Sequence, residues 1–203
     1  TSIGILDGNT NAVLTATVIL SIALTPFLVM ALRRLLPRDE QSLDGIEAAA
    51  DLNGRVLVIG FGRFGQIASQ PLLLRGVDVS IIDNDVEMIQ VASTFGFKVY
   101  YGDGTRGDIL HAAGAGRAEV ILICVDKPEA QVRIAEIIKQ EFPLVKVMAR
   151  AFDRGTALKL VQAGVEFQMR ETLESAFEVS AQTMRELGAD EDEIEQLIEN
   201  VRR

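Results

Sequence analysis

Hydrophobic and polar positions along this chain fall into three successive regimes. Residues 11–32 contain no charged side chain, and a helix of about 22 residues would extend roughly 33 Å, close to the thickness of a bilayer core. Further on, short apolar runs alternate with amphipathic stretches. Residues 55–59, 77–82, 98–101, 119–124 and 144–149 read as strands, and residues 64–75, 86–95, 109–113, 129–141 and 154–163 as the helices between and after them. A last short strand is expected at 165–168. Beyond it, Leu173, Ala176, Phe177, Ser180 and Met184 share one face of an amphipathic helix over 171–187.

Strict alternation of strand and helix with short links implies right-handed crossovers and a parallel sheet, so the fold class is α/β and Rossmann-like. The expected organisation is the end of a membrane domain at 1–36, with its span at about 11–32, then a charged, Ala-rich linker at 37–53. A Rossmann domain at 54–169 and a C-terminal helical extension at 170–203 follow. Arg33, Arg34 and Arg38 follow the apolar run at once and no basic residue precedes it, so the positive-inside rule places everything after Leu32 in the cytoplasm. Thr15, Thr17, Ser21 and Thr25 make the span polar for a lone anchor, and Pro26 frees a carbonyl that neighbouring helices can satisfy; both point to a place in a multi-pass bundle. Thr1 stands where a Met is expected, and residues 194–203 end within a charged pattern without a helix stop, so the chain reads as part of a longer protein.

Composition narrows the partners. A formal charge of −9 over 203 residues disfavours a nucleic-acid surface. One cysteine, Cys124, and one histidine, His111, exclude a disulfide framework or a Cys/His metal site within one chain. Cys124 lies in an apolar run and reads as core packing in a reducing compartment.

The chemistry concentrates at Gly60-Phe61-Gly62-Arg63-Phe64-Gly65, which carries the first strand into the first helix of the domain. Glycines there allow a tight turn and close backbone approach, and the helix start offers free N–H groups to a diphosphate. The second strand ends in Asp83, about 20 residues on, where an acid accepts ribose hydroxyls and repels the 2′-phosphate of NADP. The expected ligand is therefore NAD(H) or an adenine nucleotide such as AMP; the bland alternative is a glycine turn that binds nothing. No catalytic residue is expected. A dehydrogenase needs a second domain with a proton-transfer group, for which too little chain remains after Ala149. His111 beside Ala112 and Ala113 is not read as catalytic, and Asp190, Glu191, Asp192 and Glu193 read as solvated acids of a helix start.

Together with Tyr101-Gly102-Asp103-Gly104-Thr105, Ala149-Arg150-Ala151-Phe152-Asp153 and Arg170-Glu171-Thr172-Leu173, the glycine turn resembles the TrkA-N (RCK) domain of Kef-type potassium efflux proteins. The resemblance runs from Leu52 to Gly188, and the span with Thr25-Pro26 resembles the last helix of their antiporter domain. It implies a monovalent cation:proton antiporter of the inner membrane. Its cytoplasmic domain would dimerise and gate the membrane domain, encoded upstream in the same chain, in response to nucleotide and in some members glutathione. By position, Gly60, Gly62 and Gly65, with Arg63 and Phe64 in the same turn, would hold phosphates, Asp83 the ribose, and Asp103 would lie near the adenine. Arg63, Arg150, Arg154 and Arg170 are the candidates for an anionic regulatory ligand. The family commonly has Ala where Gly104 stands and Arg where Phe152 stands, the latter change removing one cation. A ligand-gated potassium channel and a membrane-anchored NAD-dependent oxidoreductase stay open as alternatives at this point.

Overall fold

A computed structural model describes residues 8–35 and 46–202, in two compact units comprising residues 1–42 and 43–203. In the first unit, helix α1 runs Gly8–Leu35, and its stretch Asn9–Met30 has a mean hydropathy of 2.3 with none of it buried. Large apolar side chains such as Leu20, Ile22 and Phe27 point outward, as they would into lipid. The hydroxyls of Thr15, Thr17 and Thr25 donate to the carbonyls of Asn11, Val13 and Ser21, four residues back. Their polarity is thus met within the helix, whereas the pattern of polar positions suggests contacts with other helices. Pro26 sits inside α1. Arg38 and residues 37–45 of the expected linker lie outside the described residues, and so do the side chains of Arg33 and Arg34.

The second unit is built on β1 (Val56–Ile59), β2 (Val79–Asp83), β3 (Tyr100–Tyr101), β4 (Val120–Ile123), β5 (Lys146–Ala151) and β6 (Phe167–Arg170). All pairings are parallel and the order is β3-β2-β1-β4-β5-β6, so the chain reverses its direction of travel between β1 and β4. That reversal opens a crevice at the carboxyl ends of the two strands. Helices α2 (Arg63–Leu74), α3 (Val86–Thr94), α4 (Gly107–Ala112), α5 (Pro128–Glu141) and α6 (Arg154–Gln162) connect the strands. Successive residues of β1 feed two separate cores. Leu57 and Ile59 pack with Leu110 of α4, Ile134 and Ile138 of α5 and Leu160 of α6. Val58 packs with Phe61, with Ile89 and Ala92 of α3, and with Cys124. Burial on both faces explains why the strands read as unbroken apolar runs.

Three expectations are corrected. Residues 46–52, expected as part of the linker, pack on the sheet edge instead. Ala48 forms a parallel bridge with Tyr101, the Ala49 N–H donates to the Tyr101 carbonyl at 2.9 Å, and Leu52 is buried, so this segment extends the β3 edge. The last strand begins at Phe167, two residues later than its apolar pattern suggests. Val165 instead closes the end of α6, its N–H donating to the Leu160 carbonyl at 3.1 Å. Helix α7 (Leu173–Glu186) buries Ala181 and half-buries Leu173, Phe177 and Met184, leaving Ala176 and Ser180 exposed; its partner is α8 (Glu191–Arg202), whose Ile194 is buried.

Candidate functional site

The glycines after β1 answer to different demands. Gly60 has φ +97, and a Cβ there would stand 2.8 Å from the Val125 amide nitrogen. A Cβ on Gly65 would lie 2.1 Å from the Gly60 carbonyl oxygen, because the first turn of α2 presses on the end of β1. Both positions are fixed by the protein's own packing. Gly62 differs. Its φ of −66 suits any residue, and an added Cβ would meet nothing within 4 Å. The fold does not require a glycine at 62, and the missing side chain leaves the turn open to close approach from outside. Beside it, the first N–H groups of α2 have no carbonyl a turn earlier to bond, and the N-cap Gly62 supplies no side chain. The Gln66 N–H is the first to close, on the Gly62 carbonyl at 2.9 Å. Free donors and the positive end of the helix dipole therefore face the open side of the turn.

Asp83 closes β2, and its two carboxylate oxygens are each engaged locally. One accepts the Phe61 N–H at 2.5 Å and the other the Asp85 N–H at 2.8 Å. The side chain thus fastens the glycine turn to the neighbouring strand and still has lone pairs facing the crevice. Spacing alone gives it only a ligand role. Asp103, after β3, accepts both the N–H and the hydroxyl of Thr105, at 2.9 and 2.7 Å, which fixes its carboxylate at the loop start. Gly60, Gly62, Asp83 and Asp103 line one cavity of about 330 Å³ together with Asp126 and Lys127. The structure thus brings four of the expected residues to one place. Gly65 is buried beneath the turn, Phe64 is half-buried, and Arg63 is exposed; none of the three is part of the lining. Asp85 and Asp126 add to the acidic wall, and no motif in the sequence marks them. Carboxylates concentrated around a small cavity leave room for few phosphates beyond those the α2 start can hold.

The four arginines proposed for an anion separate sharply. Arg150, on β5, is 5% exposed. Its guanidinium pairs with Asp126 at 2.7 Å and Glu171 at 2.6 Å and stacks 5.6 Å from the centre of the Phe64 ring. It is therefore not a free cation in this arrangement, since two carboxylates already hold its charge. Arg63 and Arg154 are exposed and Arg170 half-buried, and none has an ion pair among the described residues. Phe152, which stands where the family commonly has Arg, is 60% exposed. Next to it Asp153 caps α6 by accepting the Thr156 N–H at 2.7 Å, and that bond holds its carboxyl below the usual range.

The remaining titratable residues are elsewhere. His111 pairs with Glu141 at 2.9 Å and stacks edge-on against Phe142, outside the cavity lining. Asp190 caps α8 by accepting the Glu193 N–H at 2.8 Å, and Glu191 pairs with Arg185 at 2.7 Å. Cys124 is buried at the end of β4, and burial pushes its thiol up to about 12. Among the described residues no group of three acidic, His or Cys side chains is placed to hold a metal ion.

The family model of the TrkA-N domain matches residues 56–170. A glutathione-regulated potassium-efflux system protein of Haemophilus influenzae is 40% identical over 98% of this chain and 33% of its own length. The glutathione-regulated potassium-efflux system protein KefC of Cronobacter sakazakii is 40% identical over 91% of this chain and 30% of its own length. The chain thus spans about a third of the curated relatives it matches. Among solved structures, the C-terminal domain of Kef from Shewanella denitrificans in its AMP-bound form superposes with a TM-score of 0.64 at 34% identity, covering 72% of this chain and 89% of that one. The GsuK channel bound to NAD superposes with a TM-score of 0.57 over 84% of this chain and 32% of that one, at 17% identity, a likeness of fold alone.

Proposed function

The chain belongs to the TrkA-N domain family, and from that premise we propose that its Rossmann domain is the cytoplasmic nucleotide-binding regulatory domain of a potassium:proton antiporter that carries potassium out of the cell. AMP or NAD(H) sits at the carboxyl ends of β1 and β2, with phosphate against Gly62 and the start of α2, ribose on Asp83, and the base toward Asp103. One observation carries this reading: of the glycines in the turn, Gly62 is the one whose missing side chain the fold leaves unexplained. The relatives' names supply the transport function, and the AMP-bound Kef domain supplies the ligand class. Binding biases an equilibrium between two arrangements of a homodimer, and the chain between the Rossmann domain and α1 passes the bias to α1 and the membrane domain. Such control needs a ligand whose affinity differs between the two arrangements. Glutathione or an adduct of it would be met by Arg63, Arg154 and Arg170, which have no ion pair among the described residues.

Cation-driven proton flux in inverted vesicles holding the full-length product tests the reading. Potassium should dissipate the pH gradient better than sodium, and AMP or NADH should change the rate. Asp83→Ala should weaken nucleotide affinity by about 1 to 3 kcal/mol and blunt that response. Flux that ignores nucleotide, with calorimetry showing no binding, would refute the proposal.

A further inference from the structure

Arg150 occupies a position that neither nucleotide binding nor core packing explains. It is a buried guanidinium with its Nε unpartnered, and it reaches three other parts of the domain at once. Its Nη1 donates to Asp126 at 2.7 Å and lies 3.4 Å from the Cys124 carbonyl, both at the carboxyl end of β4. Its Nη2 pairs with Glu171 at 2.6 Å, in the turn between β6 and α7. Its flat face lies over Phe64, in the first turn of α2. Asp126 is 80% exposed along its side chain and lines the nucleotide cavity, while Glu171 lies outside the lining. One cation therefore joins the cavity wall to the base of the C-terminal helices.

The two ends of this link are held differently. On the cavity side the backbone is anchored, because the Gln131 side-chain amide donates to the Val125 carbonyl at 2.6 Å. On the other side α7 begins two residues after Glu171, has no side-chain N-cap bond, and packs on α8. Glu171 is fastened by its N–H to the Ala151 carbonyl at 3.0 Å and by its carboxylate to Arg150. The side-chain bond is thus a principal polar tie between the sheet and the α7–α8 pair.

Building on the nucleotide reading above, we propose that Arg150 is a relay from the cavity to the α7–α8 pair. Asp126, exposed and free to turn toward water, yields its place on Arg150 to a ligand phosphate held at the start of α2. A guanidinium binds phosphate as readily as carboxylate and in the same two-pronged manner, and its unpartnered Nε is one of the donors available for the exchange. Re-aimed toward the cavity, Arg150 changes its hold on Glu171, and the base of α7 moves between a tied and a released arrangement. The phosphate, not the base, is what the relay reads.

Amide hydrogen exchange of the full-length protein tests this, followed across α7 with AMP, with adenosine and without ligand. AMP should change exchange in residues 173–186 several-fold, and adenosine should not. Glu171→Gln should bind AMP within about threefold of the native affinity by calorimetry, yet lose the α7 response. An α7 response to AMP that persists in Glu171→Gln, or that adenosine reproduces, overturns the relay. If Glu171→Gln fails to fold by circular dichroism, Arg150→Lys carries the same test, since a lysine keeps the charge but cannot span both carboxylates. AMP that binds the native protein and leaves α7 unchanged also refutes the relay while sparing the nucleotide reading. AMP and NADH that fail to bind at all refute both.

Discussion

The two halves of the sheet treat charge in opposite ways. In the β1–β3 half, donors and acceptors are left over: the first N–H groups of α2 lack intrahelical partners, and Asp83 and Asp103 face a cavity after meeting local bonds. In the β4–β6 half, Arg154 and Arg170 have no ion pair among the described residues, but the buried charge is paired internally. Arg150 is closed by Asp126 and Glu171, and Glu166 bonds Lys139 and the Val147 N–H. A surplus of polar groups in a crevice suits a ligand, while a closed network under packed helices suits transmission of strain. On the proposed reading, the same crossover fold divides into a half that recognises and a half that responds.

Within the recognising half, the glycines offer the largest contrast. Gly65→Val drives a side chain into the Gly60 carbonyl, a backbone atom that cannot yield without parting α2 from β1. A loss of more than about 4 kcal/mol, or failure to fold, is expected by thermal unfolding followed with circular dichroism. Gly62→Val places its side chain in open space and should cost no more than about 1 kcal/mol of stability at the helix N-cap. Its AMP affinity should nevertheless fall by at least about tenfold. If Gly62→Val binds AMP normally, the cavity is not where the phosphate sits, and the β1–β3 half loses its claim to recognition.

Arginines sharpen the contrast between halves. Arg150→Ala removes the cation that two carboxylates share in a buried setting. Stability should fall by about 3 kcal/mol, because Glu171 is left without its partner in a half-buried position. Arg63→Ala, on the exposed start of α2, should leave stability within about 0.5 kcal/mol. It should weaken AMP binding in a salt-dependent way, as expected of an exposed cation near a phosphate. Equal destabilisation by the two changes would mean that the halves do not differ in how they use charge.

Much of this division is visible in the sequence, and what is not has physical reasons. The strands are legible because burial on both faces leaves unbroken apolar runs, and the glycine turn with Asp83 is legible because its spacing is set by one strand, one helix and the next strand. The network around Arg150 is not. Asp126 and Glu171 stand 24 and 21 positions away in opposite directions along the chain, and parallel pairing across β4, β5 and β6 is what brings them together. Residues 46–52 are misread as linker for a related reason: their bonds to the β3 edge are made by backbone groups, which no side-chain pattern records. Equally, nothing in spacing separates Gly62 from Gly60 and Gly65; only the space around each does.

The seam between the halves offers the smallest expected effect and a direct check on where the cavity floor lies. Cys124 directly follows β4, its Cβ lies 3.4 Å from where a Cβ on Gly65 would be, and it belongs to the cavity lining while being only 1% exposed. Burial raises its thiol to about 12, with the nearby Arg150 charge pulling weakly the other way. At pH 8 the folded protein should hold almost no thiolate, so iodoacetamide should label Cys124 far more slowly than it labels the urea-unfolded chain. The sign for stability follows from the same shift. Unfolded, the thiol loses its proton near its ordinary value of 9.0, while folded it keeps it to about 12. This group therefore adds no pH dependence to stability below about 9 and lowers stability as pH rises from there toward 12. Rapid alkylation of the folded protein at pH 8 would show that the strand end opens to solvent. If AMP then blocked the reaction, Cys124 would belong to the recognising half, and the boundary between the halves would lie beyond β4.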